Sequence, residues 1–375
     1  MINKSFTDIT LDDIKELQQN SVKEGKSIDY KEQININDKS ARKELAADIT
    51  SFANTVGGDL LFGIKEDKGV IKSIVGIEVQ NIDYLLQKIE NTIRDLVTPR
   101  IIGLQIQVIP VLDNNYIIQI RVPQSYNGPH VVDGRRFYGR NSVGKYPLDI
   151  DEIRAKFLGL AELGDKIRDY RLDRIFKIKA NEGHLKVENQ GIISVHIVPM
   201  NSLVFGSPFY NLGKPDDLSL WALVSNGITT ITDIDGVTGY DRTYNKDQET
   251  VGGYHHLSRK GITEIIDTTI IPYDNSLSIV LLSKYLNGVL ERVRENMQKL
   301  QINGPFVIMI SLLNIKGIKI NYYNNGFGGR MIRKEDLLLP EVVINDFENL
   351  ESQLESTILL LCNAAGLNEI PKRTI

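Results

Sequence analysis

The chain has 375 residues, with 44 lysines and arginines against 48 aspartates and glutamates, and a formal net charge of −4. This length predicts two domains, because a single hydrophobic core rarely serves more than about 250 residues. The slightly acidic balance excludes a protein that coats nucleic acid by bulk charge. The single cysteine, Cys362, excludes an intramolecular disulfide framework and a cysteine-rich zinc site, and it is typical of a reducing compartment.

Local patterns exclude two further classes of protein. The opening residues carry no apolar core of the kind a secretory signal needs, so no signal peptide is predicted. The longest apolar runs, such as residues 306–313, are far shorter than the about 20 residues of a membrane-spanning helix. We therefore expect a soluble, cytoplasmic protein without a membrane partner.

The first half of the chain alternates between helix and strand patterns. Residues 27–33 alternate between apolar and charged positions, which indicates a strand. Residues 41–54 carry apolar side chains at helical spacing and stop before a glycine pair, where a positive φ lets the chain reverse. The same reasoning predicts helices over residues 10–18, 83–97 and 151–163, strands over residues 59–64, 101–110, 116–122 and 137–138, and a turn at residues 113–115.

The pattern changes after a charged stretch at residues 162–173, which we interpret as a helical connector. We place the domain boundary there, which gives domains over residues 1–163 and 164–375. The second domain is predicted to contain strands over residues 184–187 and 192–198, a strand or hairpin over 254–266, a helix over 277–300, strands within 306–320 and a closing helix over 345–364. The predicted fold class is therefore α+β in both halves. The apolar stripes of the two long helices fit core packing, with a homo-oligomer surface as the alternative.

Acidic residues flank two predicted strands near the start of the chain. They are Glu24, Asp29 on the same strand face as Lys31, and the pair Glu66 and Asp67. Carboxylate oxygens suit Mg²⁺ or Mn²⁺, and such an ion would serve phosphodiester hydrolysis while Lys31 assists at the phosphate. Alternatively, these acids are ordinary solvated surface residues. Spacing alone leaves both interpretations open.

The same region resembles the Schlafen-type AlbA domain family. The resemblance rests on an ordered series of motifs: EGKSIDYK at residues 24–31, SFANTVGG at 51–58, LFGIKED at 61–67, VPQS at 122–125, PH at 129–130 and YGRNS at 138–142. It covers roughly residues 10–160. Residues 165–375 resemble a second domain that often follows this module in bacterial proteins, to which we attach no activity.

The resemblance implies a function and a set of site residues. Some Schlafen-type proteins are metal-dependent ribonucleases that cut tRNA and rRNA, and many bacterial members are ATP-binding or DNA-binding regulators. The nuclease site corresponds here to Glu24, Asp29, Lys31 and Glu66, with Asp67 as the other candidate for the third acid. Asp29 stands where the family usually has Glu, and Glu66 where it usually has Asp. One side chain is thus shorter than usual and the other longer. Either the two changes compensate each other across a metal ion, or the site binds its ligand without cutting it.

A basic cluster gives the domain a candidate surface for nucleic acid. It consists of Arg135, Arg136, Arg140 and Lys145 in a domain whose total charge is near zero. Guanidinium groups pair well with phosphate oxygens, and the intervening Phe137 and Tyr138 are candidates for stacking on a base. The alternative is a solvated β-hairpin.

Other motifs favour structural roles. Residues 139–146 fall short of a phosphate-binding P-loop, because Tyr146 stands where the motif needs Ser or Thr and Pro147 interrupts the following helix, so we do not expect ATP as a cofactor. Adjacent His255 and His256 point to opposite faces of a strand, which disfavours a shared metal ion. We interpret the acidic segment 241–247 and the glycine-rich segment 325–330 as non-catalytic, and Cys362 as a core residue.

We therefore predict a metal-dependent endonuclease that acts on RNA, tRNA-like or otherwise single-stranded, in phage defence or stress response. The predicted cofactor is Mg²⁺ or Mn²⁺, and RNA is favoured over DNA as the partner. One alternative is a non-catalytic regulator that binds nucleic acid or nucleotide. Another is a nucleotide-responsive first domain that controls a second, effector domain.

Overall fold

The structure is a computed structural model that describes the chain except for residues 3, 5, 113, 189, 205–206, 225–227, 242–248, 272–274, 322–329, 346, 348 and 371–375. The predictions for residues 242–247 and 325–329, and the first residue of the turn at 113–115, lie outside the described residues. The chain divides into two compact units, Met1–Glu162 and Leu163–Ile375. Helices and strands are mixed in both units, which confirms the predicted α+β fold class.

The α-helices described in the first unit are α1 (Leu11–Gln19), α2 (Lys39–Ala53), α3 (Ile82–Leu96) and the start of α4 (Ile150–Lys179), which runs on into the second unit. Its strands are β1 (Ile28–Lys31), β2 (Gly58–Phe62), β3 (Ile64–Asp67), β4 (Val70–Ile74), β5 (Ile77–Glu78), β6 (Val97–Thr98), β7 (Gln105–Leu112), β8 (Asn115–Val122), β9 (Val131–Val132), β10 (Arg136–Arg140) and β11 (Lys145–Pro147). The main sheet has the order β1-β2-β8-β5, with β7 also paired to β8, and only β1 and β2 run parallel. A smaller sheet has the order β11-β10-β9-β6, and β3 and β4 form a hairpin.

Both faces of the main sheet are buried. Leu60 and Phe62 of β2 pack with α2 and α3, whereas Ile28 and Tyr30 of β1 pack with Ile14 of α1 on the other face. Successive strand residues alternate between faces, so Asp29 and Lys31 point to the side occupied by α2. The acidic site is therefore enclosed between a strand and a helix.

The second unit contains α5 (Ile279–Lys299) and α6 (Leu350–Ala364). Its strands are β12 (Ile192–Pro199), β13 (Thr229–Thr232), β14 (Gly236–Tyr240), β15 (Gly253–Ser258), β16 (Thr263–Asp267), β17 (Ser276–Ser278), β18 (Phe306–Leu313), β19 (Lys319–Asn321), β20 (Arg330–Met331), β21 (Leu337–Leu338) and β22 (Val342–Ile344). An antiparallel sheet has the order β13-β14-β15-β16-β12-β18-β21, with β22 also paired to β18. Helices α5 and α6 bury the largest apolar core against one face of it.

Several predicted boundaries are wrong. Residues 184–187 form no strand, and only Val187 makes an isolated bridge to Val251. The helix predicted to end at residue 163 continues to Lys179, because the charged connector is itself helical. Residues 254–266 form the hairpin of β15 and β16. In the described part of the chain, no helix is both long and apolar enough to cross a membrane.

Candidate acidic site and nucleic-acid interface

Glu24, Asp29 and Lys31 lie together at strand β1. The Tyr30 backbone N–H donates to Glu24 Oε1 at 2.7 Å, which folds the Glu24 side chain back over the strand. Lys31 Nζ lies 3.3 Å from Asp29 Oδ1, as expected for residues on one strand face. Asp29 is buried, whereas Glu24 and Lys31 are partly exposed. The structure thus brings three of the four predicted catalytic residues into one cluster.

The two carboxyl groups of this cluster interact strongly. Burial and a hydrogen bond with Asp29 raise the pKa of Glu24 to about 7. Burial alone would raise the pKa of Asp29, but the hydrogen bond with Glu24 and the charges of Arg140 and Lys31 outweigh it and hold this pKa below its usual value. Burial would lower the pKa of Lys31, but Asp29 and Asp48 outweigh it and raise this pKa. Below about pH 7, the proton bound by the pair therefore resides mainly on Glu24.

Glu66 and Asp67 are exposed at the end of β3. Glu66 Oε2 accepts a hydrogen bond from the Gly69 N–H at 2.6 Å, so its carboxylate closes the turn of the β3–β4 hairpin. Among the described residues, no three Asp, Glu, His or Cys side chains are arranged to hold a metal ion. With Asp29 held by cations and Glu66 turned onto Gly69, the acidic residues in this arrangement do not fit Mg²⁺ or Mn²⁺ coordination.

Arg140, predicted as part of the basic cluster, is buried against the acidic residues. Its Nη2 lies 2.9 Å from Asp29 Oδ2, and its Nε donates to the Gly25 carbonyl at 2.8 Å. The guanidinium carbon lies 4.3 Å from the centre of the Phe52 ring, in cation–π geometry. Asp29 and Arg140 are more than a hundred residues apart in the chain, so the sequence pattern did not predict this contact.

The SFANTVGG motif positions Arg140. The Asn54 side chain donates to the carbonyls of His130 and Tyr138 at 2.9 and 3.0 Å, and Thr55 Oγ1 accepts from the Arg140 N–H at 3.0 Å. Gly58 lies so close to the Phe52 ring that a Cβ at this position would overlap it. The motif therefore ties the end of α2 to β10, on which Arg140 lies.

Lys145 is also engaged with carboxylates. Its Nζ lies 2.7 Å from Asp48 Oδ1 and also contacts Glu44, both on α2. Asp48 is buried, and this burial raises its pKa even though Lys145 opposes the shift. Of the four predicted phosphate-binding residues, Arg140 and Lys145 are thus internal partners of acids, and Arg135 and Arg136 remain exposed.

A second segment adds cations beside Arg135. Lys43 of α2 lies 2.5 Å from Asp133 Oδ2, and Lys43, Arg135 and Lys39 lower the pKa of Asp133, with Lys43 contributing most. We call Lys39, Lys43, Arg135 and Arg136 the basic patch. The sequence analysis missed its two lysines, although the run KSARK at the start of a predicted helix is a visible signal.

The other sequence candidates have structural surroundings. Phe137 and Tyr138 are partly buried: Phe137 packs edge-on against Phe157 at 6.4 Å, and Tyr138 packs against an apolar cluster with Val132. Residues 139–146 lie in the hairpin of β10 and β11, and the next helix, α4, begins only at Ile150, whereas the helix of a P-loop begins within the motif. Cys362 is buried, and burial raises its pKa to about 11.

The second unit contains a buried polar cluster around Glu264. Arg174 of α4 donates to both carboxylate oxygens at 2.7 and 2.8 Å, and His196 Nε2 and the Tyr254 hydroxyl complete the set at 2.9 and 2.8 Å. His256, by contrast, bonds Thr238, and His255 bonds the Trp221 carbonyl. The two adjacent histidines therefore have separate surroundings.

Comparison with known families identifies the first unit. Residues 24–149 match the Schlafen AlbA_2 family model, so this part of the chain is a Schlafen-type AlbA domain, as the motifs predicted. The family match indicates a nucleic-acid-related function for this domain. No curated protein matches the chain significantly.

Two solved structures align with part of the chain. One is the crystal structure of the DIP2311 protein from Corynebacterium diphtheriae, with 22% identity, a TM-score of 0.27, and coverage of 36% of this chain and 26% of that chain. The other is the solution NMR structure of the N-terminal domain of a RecG-related protein from Nitrosomonas europaea, with 23% identity, a TM-score of 0.24, and coverage of 32% and 76%, respectively. The chain thus spans about a quarter of the length of DIP2311.

Proposed function

We propose that the first unit binds nucleic acid through the basic patch, as a non-catalytic regulator, with RNA favoured over DNA. The observation that carries this proposal is the convergence of Lys39, Lys43 and Arg135 around Asp133. Three cations thus act on one carboxylate, and exposed Arg136 follows Arg135 in the chain, so the patch carries a local excess of positive charge. Such an excess at one place on a nearly neutral domain suits a defined phosphate contact better than coating.

The availability of the arginines supports this role. Arg135 and Arg136 are exposed, and neither forms an ion pair within the described part of the chain. Lys39 is the first residue of α2, where the helix dipole adds positive potential. The two arginines of the patch can therefore offer charged donors to phosphate oxygens without first breaking an internal salt bridge.

Fluorescence anisotropy tests this proposal. Labelled single-stranded RNA, tRNA, single-stranded DNA and duplex DNA of matched length are titrated with the full chain at several salt concentrations. For the variant Arg135→Glu/Arg136→Glu we expect at least about tenfold weaker binding and a salt slope smaller by about 1–2, since each phosphate contact contributes about 0.7–0.9. Equal binding by the wild type and this variant would overturn the proposal, as would the absence of binding to every probe.

A matched charge reversal separates the patch from total charge. Lys15 of α1 and Lys72 of β4 are exposed and lie on the side of the main sheet opposite α2. Lys15→Glu/Lys72→Glu changes the net charge by the same amount as the patch variant. It is expected to leave the affinity within about twofold, because screening at 0.15 M salt confines charge effects to about 8 Å.

A metal-dependent ribonuclease is the second candidate function. The observation that favours it is the carboxyl pair of Glu24 and Asp29 with half-exposed Lys31 beside it. The pKa values of both carboxyl groups are shifted, and groups with shifted pKa values are common at functional sites. Such a nuclease, with Mg²⁺ or Mn²⁺ as its cofactor, requires Asp29 to exchange Arg140 for the ion and Glu66 or Asp67 to turn toward the pair. A role in phage defence or stress response belongs to this candidate.

Cleavage assays decide between the two candidates. Labelled tRNA and single-stranded RNA are incubated with the protein and Mn²⁺, Mg²⁺ or EDTA. Cleavage that requires the metal and disappears in both Glu24→Gln and Asp29→Asn would establish the nuclease. Binding without cleavage under all conditions supports the regulator.

A further inference from the structure

We propose that Arg140 acts as the resident cation of the acidic site and excludes divalent metal ions from it. This inference concerns the acidic site, and it goes beyond the nucleic-acid binding proposed for the basic patch. It rests on geometry: which atoms occupy the oxygens of Asp29, and how firmly Arg140 is held.

Both oxygens of Asp29 already face a positive charge. Arg140 Nη2 lies 2.9 Å from Oδ2, and Lys31 Nζ lies 3.3 Å from Oδ1. A Mg²⁺ or Mn²⁺ ion would need at least one of these oxygens at a much shorter distance, about 2.1 Å for Mg²⁺. The ion would also bring two positive charges next to a buried guanidinium, which low-dielectric surroundings make costly.

Arg140 cannot simply move aside. Its Nε donates to the Gly25 carbonyl at 2.8 Å, its backbone N–H donates to Thr55 Oγ1 at 3.0 Å, and its guanidinium lies over the Phe52 ring. The side chain is only 2% exposed. Displacement would therefore remove a hydrogen bond and a cation–π contact, and would leave the Gly25 carbonyl without this donor.

The arrangement links the two ends of the motif series. Arg140 contacts Gly25, which follows Glu24, and it also contacts Asp29 itself. The guanidinium thus contacts the backbone next to Glu24 and the carboxylate of Asp29. An internal arginine of this kind neutralises Asp29 permanently, independent of the metal concentration.

Manganese binding tests the inference, with electron paramagnetic resonance to count bound Mn²⁺ and thermal unfolding as a second readout. Wild type is expected to show no saturable Mn²⁺ site and no rise in Tm with Mn²⁺. Arg140→Ala removes the charge and leaves space, so it is expected to gain one saturable site and a Tm that rises with Mn²⁺. The gain should disappear in Arg140→Ala/Asp29→Asn, and Arg140→Lys, which keeps the charge, should behave like wild type.

Two results would overturn the inference. One is saturable Mn²⁺ binding by wild type that Asp29→Asn abolishes. The other is an Arg140→Ala protein that folds and still binds no Mn²⁺. If this variant does not fold alone, it is refolded in Mn²⁺ or in EDTA: recovery in Mn²⁺ only supports the inference, and equal failure contradicts it. Either contradiction leaves the anisotropy test of the basic patch unaffected, so the two proposals fail separately.

Discussion

Each unit of the chain buries an arginine against a carboxylate, and the two pairs differ in how completely they are satisfied. In the second unit, each oxygen of Glu264 accepts two hydrogen bonds, from Arg174 with His196 or with Tyr254. In the first unit, Arg140 gives Asp29 a single contact, and its Nη1 is buried without a hydrogen-bond partner.

The carboxyl groups at the two pairs also differ in protonation. Burial would raise the pKa of Glu264, but Arg174 and His196 outweigh it and hold this pKa well below the usual value, so the acid stays ionised. Beside Asp29, by contrast, Glu24 has a pKa raised to about 7. A fully satisfied buried ion pair fixes one conformation and one protonation state. At the acidic site, by contrast, the half-buried Glu24 carboxyl beside the pair can still bind and release a proton.

The largest effect should follow from breaking the satisfied pair. Glu264→Gln leaves Arg174 buried without a counter-charge, so the free energy of unfolding of the second unit should fall by about 3–5 kcal/mol. Trp221, the only tryptophan in the sequence, lies in this unit and reports its urea unfolding by fluorescence. Glu341→Gln is the control, because Glu341 is 37% exposed and contacts Arg171 at 3.5 Å, and it should cost at most about 1 kcal/mol. Equal losses in the two variants would contradict the comparison.

A smaller, pH-dependent loss of stability is expected for Lys145→Met in the first unit. Without Lys145, buried Asp48 loses its counter-charge, but its already raised pKa lets it take up a proton instead. The loss should be about 1–2 kcal/mol at pH 8 and smaller at pH 5. Hydrogen exchange of peptides from α2 measures it. Lys15→Met, which removes an exposed pair with Asp12, should have little effect at either pH. A loss that is greater at pH 5 would refute this account of Asp48.

The proton on Glu24 gives the next prediction. The folded-state pKa of about 7 lies above the model-peptide value of 4.5, so its contribution to stability is complete below pH 4.5 and is lost as the pH rises through 7. The lowered pKa of Asp29 acts in the opposite direction, but only at more acidic pH. The first unit should therefore lose on the order of 1 kcal/mol between pH 5 and 8. Glu24→Gln should flatten this dependence, and the Glu24 carboxyl carbon followed by NMR should titrate near 7. Titration near 4.5 would show that the pair does not share a proton.

Local sequence patterns were sufficient for the elements around the site. The alternation at β1 placed Asp29 and Lys31 on one face, and their contact at 3.3 Å agrees with it. The glycine pair after α2 marked the reversal, where Gly57 has a φ of +71°. These features depend on neighbours within a few residues, which a single sequence contains.

Contacts between residues far apart in the chain could not be predicted from the sequence, and they determine which charged groups meet at the acidic site. Arg140 was assigned to a phosphate-binding cluster because its charge, not its contact with Asp29, is visible in the sequence. The charged connector was predicted as a helix, but its sequence does not show that this helix buries Arg171 and Arg174 against β18 and β16. A charged residue looks the same in sequence whether it meets water or a buried carboxylate.

The smallest effect on stability is expected for Glu66 and Asp67, the two candidates for the third acid of the predicted nuclease. It tests whether they are ordinary turn residues instead. Glu66→Ala removes the hydrogen bond to the Gly69 N–H and should cost about 0.5–1 kcal/mol, because the turn is exposed and water replaces the lost acceptor. Asp67→Ala removes no hydrogen bond formed within the described residues and should cost almost nothing. Hydrogen exchange of the β3–β4 hairpin measures both. If either change instead abolished a metal-dependent cleavage while leaving hairpin protection intact, that carboxylate would belong to an active site. The first unit would then adopt an arrangement in which Arg140 no longer neutralises Asp29.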